Sequence, residues 1–77
     1  MNVDIITPDK NLFTGEATSV TVPGSDGSLG ILDNHAPLIS SLQKGEIKLT
    51  TSKGEEIFEV NGGVVEVLNN KVIILVG

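Results

Sequence analysis

The 77-residue sequence contains no cysteine, tryptophan, tyrosine or arginine, and these four absences exclude several kinds of functional site. Without cysteine the chain has no thiolate nucleophile, no cysteine-ligated metal and no disulfide. The lack of arginine removes the usual bidentate ligand for phosphate. The lack of tryptophan and tyrosine removes the aromatic surfaces on which bases and sugars commonly stack. Sites for nucleotides and sugars are therefore disfavoured.

Positive charge and long apolar runs are also scarce. Five lysines against ten acidic residues give a net charge of −5, the wrong sign for neutralising phosphates, so we expect no nucleic-acid partner. The longest unbroken apolar run is residues 72–76, whereas a membrane-spanning helix needs about 20 residues. We expect no membrane insertion. A chain this short supports only one core, so residues 1–77 form a single domain.

The apolar residues that are present mostly follow the two-residue period of β-strands, with turn residues every eight to ten positions. This pattern predicts an all-β sandwich or barrel made largely of antiparallel hairpins. The predicted strands cover residues 3–7, 12–13, 18–22, 45–51, 55–60, 64–68 and 71–76. The last of these is apolar on both faces, which predicts either a central strand or a strand whose outer face is covered by a partner or a further chain segment.

Residues 22–38, "VPGSDGSLGILDNHAPL", contain two of the three prolines and the only histidine. Asp33 and His35, with Ser25 or Ser28, supply the residue types of a hydrolytic triad, but no serine lies in Gly-x-Ser-x-Gly and nothing in the spacing brings a serine to His35. A hydrolase that uses His35 remains one hypothesis. The stretch fails the calcium-loop, zinc and phosphate-loop templates, so we expect no metal and no cofactor, and its glycines are interpreted as turn and bulge positions.

Lys71 follows the predicted Asn69-Asn70 turn. A lysine at a hairpin tip of a small, acidic, β-rich domain is also a feature of lipoyl and biotinyl carrier domains, although the flanking asparagines do not match their motifs. A carrier domain modified at Lys71 is therefore the alternative function.

Two longer segments, "VTVPGSDGSLGILDNHAPLISSLQKGEIKL" and "VNGGVVEVLNNKVIILV", resemble the N-terminal β-sandwich of the epsilon subunit of rotary ATP synthases. The resemblance extends essentially from residue 3 to residue 76. It implies about ten short, mainly antiparallel strands in two sheets, and a non-catalytic rotor subunit of the central stalk. Such a subunit binds the gamma subunit and the polar loops of the c-ring, and it couples ion-driven rotation to ATP synthesis.

The resemblance also implies particular contact residues. The c-ring would be contacted by Ser25, Asp26, Gly27 and Ser28. The gamma-facing surface would be formed by Ile31, Asn34, His35, Ala36, Pro37 and Leu38, with Ile31 and Leu38 partly in the core, and His35 is the strongest candidate for a partner contact.

The sequence departs from most family members at its end. They continue into a C-terminal helical hairpin that restrains the enzyme and, in some, binds ATP, whereas this sequence stops at Gly77. Either the helices were removed or the form is naturally short, so neither inhibition nor ATP binding is carried over to these residues. The family further implies a peripheral location on the cytoplasmic face of the bacterial inner membrane, within the ATP synthase complex.

Overall fold

The computed structural model describes all 77 residues, Met1–Gly77, and consists of nine β-strands without a helix. No helix is therefore available to cross a membrane. The strands are β1 (Asn2–Ile6), β2 (Asn11–Glu16), β3 (Ser19–Gly24), β4 (Gly27–Leu32), β5 (Leu38–Leu42), β6 (Gly45–Thr51), β7 (Gly54–Val60), β8 (Gly63–Leu68) and β9 (Lys71–Val76).

The nine strands form one hydrogen-bonded path, β2-β1-β9-β8-β5-β3-β6-β7, with β4 paired to β3. The path divides into two layers, β2-β1-β9-β8-β5 and β4-β3-β6-β7. The division falls between β5 and β3, which are joined only by the Gly24–Leu42 pair. Every pairing is antiparallel except that of β1 with β9. The prediction of an all-β sandwich is thus confirmed, with nine strands instead of about ten.

The core consists mainly of the inward-facing alternate residues of the strands, together with Met1 and Ala17 outside them, and contains no polar side chain. Sixteen apolar residues are buried there: Met1, Val3, Ile5, Ala17, Val20, Val22, Ile31, Leu42, Ile47, Leu49, Val60, Val65, Val67, Val72, Ile74 and Val76. Burial of β-branched side chains on a pleated surface favours strands, and Val and Ile make up twelve of the sixteen. The domain is therefore held together chiefly by apolar burial.

Two phenylalanines close the side of the sandwich. Strands β2 and β7 lie at the two ends of the hydrogen-bonded path, and each contributes one ring. Phe13 and Phe58 pack edge to face with ring centroids 6.0 Å apart, a favourable arrangement for aromatic pairs. This contact joins strands that share no ladder hydrogen bonds.

The region 22–38 differs most from its prediction. It contains the regular strand β4, and β3 extends through Pro23 instead of ending before it. Pro23 is tolerated because β6 pairs with β3 only at residues 19–21, so no ladder hydrogen bond to β6 is lost at the proline. Gly30 is an ordinary strand residue rather than a turn or bulge.

Strand β9 is central, since it pairs with β1 on one side and β8 on the other. Its inward residues Val72, Ile74 and Val76 are buried, whereas Ile73 is half-buried and Leu75 is exposed. Packing in the core accounts for the apolar residues on the inner face of β9, but not for those on its outer face. The outer face remains open to solvent in the isolated domain.

Candidate partner-binding surface

The four residues assigned to the c-ring contact lie together at the tip of the β3–β4 hairpin. Ser25 and Asp26 form the turn after the Gly24–Gly27 pair, and all four residues of the tip are exposed. Ser25 is anchored to β5, because its backbone N–H donates to the carbonyl oxygen of Ser41 at 3.0 Å and the two hydroxyl oxygens are 2.8 Å apart. The tip is thus a polar protrusion tied to the other layer.

Glycine is required at the base of this hairpin. Gly24 is buried, and a Cβ atom there would lie only 2.6 Å from the carbonyl oxygen of Gly27. Gly27 itself has a φ of 131°, a conformation open mainly to glycine. These two positions account for part of the glycine content of the region.

The segment 33–37 follows β4 at the opposite end of that strand. The backbone N–H of His35 donates to the carbonyl oxygen of Leu32 at 3.2 Å, which closes a turn, and Asn34 adopts a left-handed φ of 63°. The N–H of Asn34 donates to Oδ1 of Asn70 at 2.8 Å. Because each residue of a strand advances about 3.3 Å, β4 separates this turn from the hairpin tip by about 17 Å.

His35 does not belong to a catalytic triad. Its half-buried ring donates from Nδ1 to the carbonyl oxygen of Ala36 at 2.7 Å, while the carboxylate of Asp33 accepts a 2.7 Å hydrogen bond from the Met1 ammonium. Ser25 pairs with Ser41 rather than with the imidazole. The hydrolase hypothesis therefore has no supporting geometry.

The Met1 ammonium is the one group with a clearly shifted pKa. The hydrogen bond to Asp33 raises the pKa above its ordinary value of 8.0 and outweighs the opposing effect of burial. The same ammonium also donates to the carbonyl oxygen of Ala17 at 3.0 Å and lies 3.7 Å from a carboxylate oxygen of Glu16. The segment that precedes Asn34 is therefore tethered to the start of the chain.

Two of the six predicted gamma-facing residues, Pro37 and Leu38, line a surface groove. They line it together with Ile39, Glu66 and Leu68. Ile39 and Leu68 were missed by sequence reasoning, yet they are 71% and 51% exposed.

Ile31 differs from the other five predicted residues, because its side chain is only 1% exposed and lies in the core. It therefore supports this region from below and is not part of the exposed surface. Asn34, Ala36 and Pro37 are exposed, and His35 and Leu38 are half-buried.

The apolar surface continues from this groove across the outer face of β5, β8 and β9. In register, Ile39 is opposite Glu66 and Glu66 is opposite Ile73, while Val64 is opposite Leu75. The sequence contained a signal for this face. Successive side chains of a strand point to opposite faces, so adjacent apolar residues such as Leu38 and Ile39, or residues 72–76, place apolar side chains on the outer face as well as in the core. We call the surface formed by Ile39, Val64, Leu68, Ile73 and Leu75 the outer apolar face.

Lys71 does not occupy a turn. The two turn residues are Asn69 and Asn70, and Lys71 is the first residue of β9, where it pairs with both Leu68 and Asn2. Its Nζ atom lies 3.8 Å from a carboxylate oxygen of Asp4. The exposed tip expected of a carrier lysine is thus absent here.

The fold and this surface define a small β-sandwich domain with an exposed polar tip and a groove lined mainly by apolar residues. Residues 1–77 match the family described as the beta-sandwich domain of the ATP synthase delta/epsilon chain. The chain belongs to this family. The match covers the whole chain, so the carrier-domain alternative is not supported.

Curated relatives agree with this assignment. The chain is 47% identical over 74 residues to the ATP synthase epsilon chain of Chlorobium limicola, covering 95% of this chain and 84% of that one. It is also 47% identical over 74 residues to the epsilon chain of Dichelobacter nodosus, covering 95% of this chain but 52% of that one. The chain therefore spans about half the length of some relatives and most of the length of others.

Solved structures share the fold at lower sequence identity. A chain of the mitochondrial ATP synthase of Euglena gracilis superimposes with a TM-score of 0.88 at 19% identity, covering 96% of this chain and 48% of that one. A chain of the central stalk and c-ring structure of the Tetrahymena thermophila enzyme has a TM-score of 0.82 at 23% identity, covering 97% and 61%. The sandwich is thus the same at identities below those of the bacterial relatives.

Proposed function

We propose that this domain is a non-catalytic rotor component of ATP synthase that links the gamma subunit to the c-ring during ion-driven rotation. Family membership supports this function, and the observation that carries it is the placement of two different surfaces at opposite ends of β4. One end is the polar tip of Ser25, Asp26, Gly27 and Ser28, and the other is the turn that leads to His35 and the groove. A domain that joins two partners requires such separated contacts.

The groove end is proposed to bind gamma. Ala36, Pro37 and Leu38 lead into the groove beside Ile39 and Leu68, so a partner there would bury apolar side chains that are now in water. Apolar burial contributes roughly 25 cal/mol per Å², which makes this part of the surface the main source of affinity. Asn34 and His35 would add polar contacts at its rim.

The hairpin tip is proposed to bind the polar loops of the c-ring. Its side chains are short and polar, and the net charge of −5 favours partner loops that are polar or basic. The anchoring of Ser25 to Ser41 would let the tip transmit force to the second layer without bending.

The size of the domain is compatible with both contacts. Its accessible surface is 4615 Å², and a standard interface takes about 800 Å² from each partner. Two such interfaces would cover about a third of the surface. Binding at both ends would hold the domain peripherally on the cytoplasmic face of the bacterial inner membrane.

Binding to purified gamma tests this function directly. The folded domain should co-elute with gamma in a one-to-one complex at micromolar concentrations, and a folded domain that elutes alone would overturn the proposal. His35→Asp should weaken the complex without unfolding the sandwich, because it places a charge in the segment that leads to Pro37 and the groove. Asn61→Asp is the matched control, since it adds the same charge in an exposed turn at the other end of β8. Equal affinities of the two variants would remove His35 from the interface.

A further inference from the structure

The turn Leu32–His35 is held by a hydrogen bond from a distant part of the chain as well as by its own residues. Asn34 is the third residue of this turn and has a φ of 63°, whereas Asp33 does not have a positive φ. This combination is typical of a type II turn, whose third position is suited to glycine or asparagine. The commoner type I turn would let Asn34 adopt a negative φ, and it differs in the orientation of the central peptide.

The central peptide of the turn has a specific partner. Its N–H group, which belongs to Asn34, donates a 2.8 Å hydrogen bond to Oδ1 of Asn70, 36 residues further along the chain. Rotation of this peptide into the type I orientation would turn the N–H away from that acceptor. The hydrogen bond therefore favours the observed turn over its alternative.

Asn70 is itself firmly held. It lies in the two-residue β8–β9 turn, where Asn69 and Asn70 have φ values of 50° and 60°, as a type I′ hairpin requires. Its carbonyl oxygen also accepts a 3.2 Å hydrogen bond from the backbone N–H of Asn2. The acceptor atom is thus carried by a residue that the hairpin and β1 keep in place.

We propose that Asn70 is a positioning residue for the gamma-binding surface. Its side-chain oxygen holds the peptide between Asp33 and Asn34 in the type II orientation, and this orientation sets the direction in which the chain continues to His35 and Leu38. Asn70 acts through this hydrogen bond and lies outside the set of contact residues named above. The inference rests on the proposed function only in naming gamma as the partner.

The Asn70→Gly variant distinguishes the role of the Asn70 side chain from the role of the β8–β9 turn. Glycine accepts the left-handed φ, and Asn-Gly is a preferred type I′ sequence, so the hairpin should remain folded. The variant removes the Oδ1 acceptor while retaining the backbone carbonyl that binds Asn2. Asn69→Gly is the matched control, because it changes the neighbouring turn residue, whose side chain makes no hydrogen bond within the domain.

Two measurements test the proposal. In the free domain, amide hydrogen exchange at Asn34 should be about tenfold faster in Asn70→Gly than in Asn69→Gly, since the N–H loses its acceptor. Affinity for purified gamma should fall about fivefold in Asn70→Gly relative to Asn69→Gly, the effect of one neutral hydrogen bond. Asn70→Asp keeps an acceptor at the same place, so its affinity should lie within about twofold of the wild type.

Unchanged exchange at Asn34 in Asn70→Gly would overturn the proposal, and so would faster exchange without a loss of affinity. Weakened binding in Asn70→Asp equal to that in Asn70→Gly would also overturn it, because the retained acceptor should rescue the turn. If the wild-type domain does not bind gamma, the proposed function fails. The exchange rates of the free domain then still decide whether Asn70 controls the turn.

Discussion

The ammonium group of Met1 donates a 2.7 Å hydrogen bond to Oδ1 of Asp33, across 32 residues of sequence. This bond joins the start of β1 to the segment that leads into the turn Leu32–His35. Because the folded domain favours the protonated amine, the pKa of the Met1 ammonium is raised above 8.0. The stability of the chain Met1–Gly77 therefore depends on pH in a definite direction.

The free energy of unfolding should decrease as the pH rises above 8. A group whose pKa is higher in the folded state contributes its full stability below its unfolded pKa, and this contribution is lost as the pH rises through the folded pKa. Asp33→Asn should reduce the decrease, since the hydrogen bond to the carboxylate is the largest cause of the shift. Urea unfolding at several values between about pH 7 and about pH 9.5 measures the effect below the main titration of lysine.

Asp26→Asn is the control for this experiment, because Asp26 is an exposed carboxylate without an ion pair. Its unfolding free energy should follow the wild-type dependence on pH. If the free energy of unfolding falls with pH equally steeply in Asp33→Asn and in wild type, the ion pair between Met1 and Asp33 contributes nothing to folding.

Gly63→Ala should destabilise the domain by about 3 kcal/mol or more, enough to unfold much of a small domain. Gly63 has a φ of 150°, and a methyl group there would overlap the carbonyl oxygen of Leu75 on the neighbouring strand. Gly30→Ala is the control, since no atom lies within 4 Å of a Cβ at that position and its φ is not positive. Thermal and urea unfolding of both variants measure the difference, and equal stabilities would contradict it.

Ile74→Val should destabilise the domain by about 1 kcal/mol, because it leaves a cavity in the core. Ile74 is fully buried, whereas the next residue, Leu75, is 52% exposed on the other face of the same strand. Leu75→Val should change the unfolding free energy by less than about 0.5 kcal/mol. If Leu75→Val lowers the free energy of unfolding more than Ile74→Val does, the assignment of the buried and exposed faces of β9 is wrong.

Ile39→Asp should lower the affinity for gamma at least about tenfold, because it introduces a charge into the apolar groove that gamma would cover. Its own folding should be little affected, since the Ile39 side chain is 71% exposed. Ile57→Asp makes the same change at a 51% exposed position on β7, away from the groove. Surface plasmon resonance on immobilised gamma compares the two, and equal losses of affinity would remove the groove from the interface.

Most of the sheet could be predicted from local pattern. Strand β6 was predicted with the observed bounds because Ile47 and Leu49 alternate with polar residues and are buried as expected. Strand β9 was also predicted with its observed bounds, since the Asn69-Asn70 turn marks the hairpin. In β6 the two-residue period of the sequence matches the burial of one face, whereas β9 was located by the turn that precedes it.

Strands β4 and β5 were not predicted because their local signals conflict with their environment. Strand β4 has glycine at two of its six positions, and both glycines are exposed. Its only fully buried side chain is that of Ile31. Its strand conformation is imposed by pairing with β3, from Ser19–Leu32 to Gly24–Gly27. Tertiary pairing thus overrides weak local propensity.

The candidate surface was predicted only in part for a related reason. The motif residues Asn34, His35, Ala36, Pro37 and Leu38 were named from the family resemblance, and of these Pro37 and Leu38 line the groove. Leu68 and Asn70 lie at least 30 residues further along the chain and reach this region only through the pairing of β5 with β8 and through the β8–β9 turn. No pattern of neighbouring residues in the sequence indicates that Leu68 and Asn70 lie close to this motif.

The parallel pairing of β1 with β9 has a consequence for how the domain is made on the ribosome. Asn2 to Ile6 pair in register with Lys71 to Leu75, so the first strand emerges long before its central neighbour exists. Until then, β1 has only β2 to pair with, and a two-stranded hairpin is marginally stable in water. The nascent chain can complete its first layer only after residue 76 has left the exit tunnel. Folding should accordingly occur late in the synthesis of these residues, slowed by the long loop that this pairing must close.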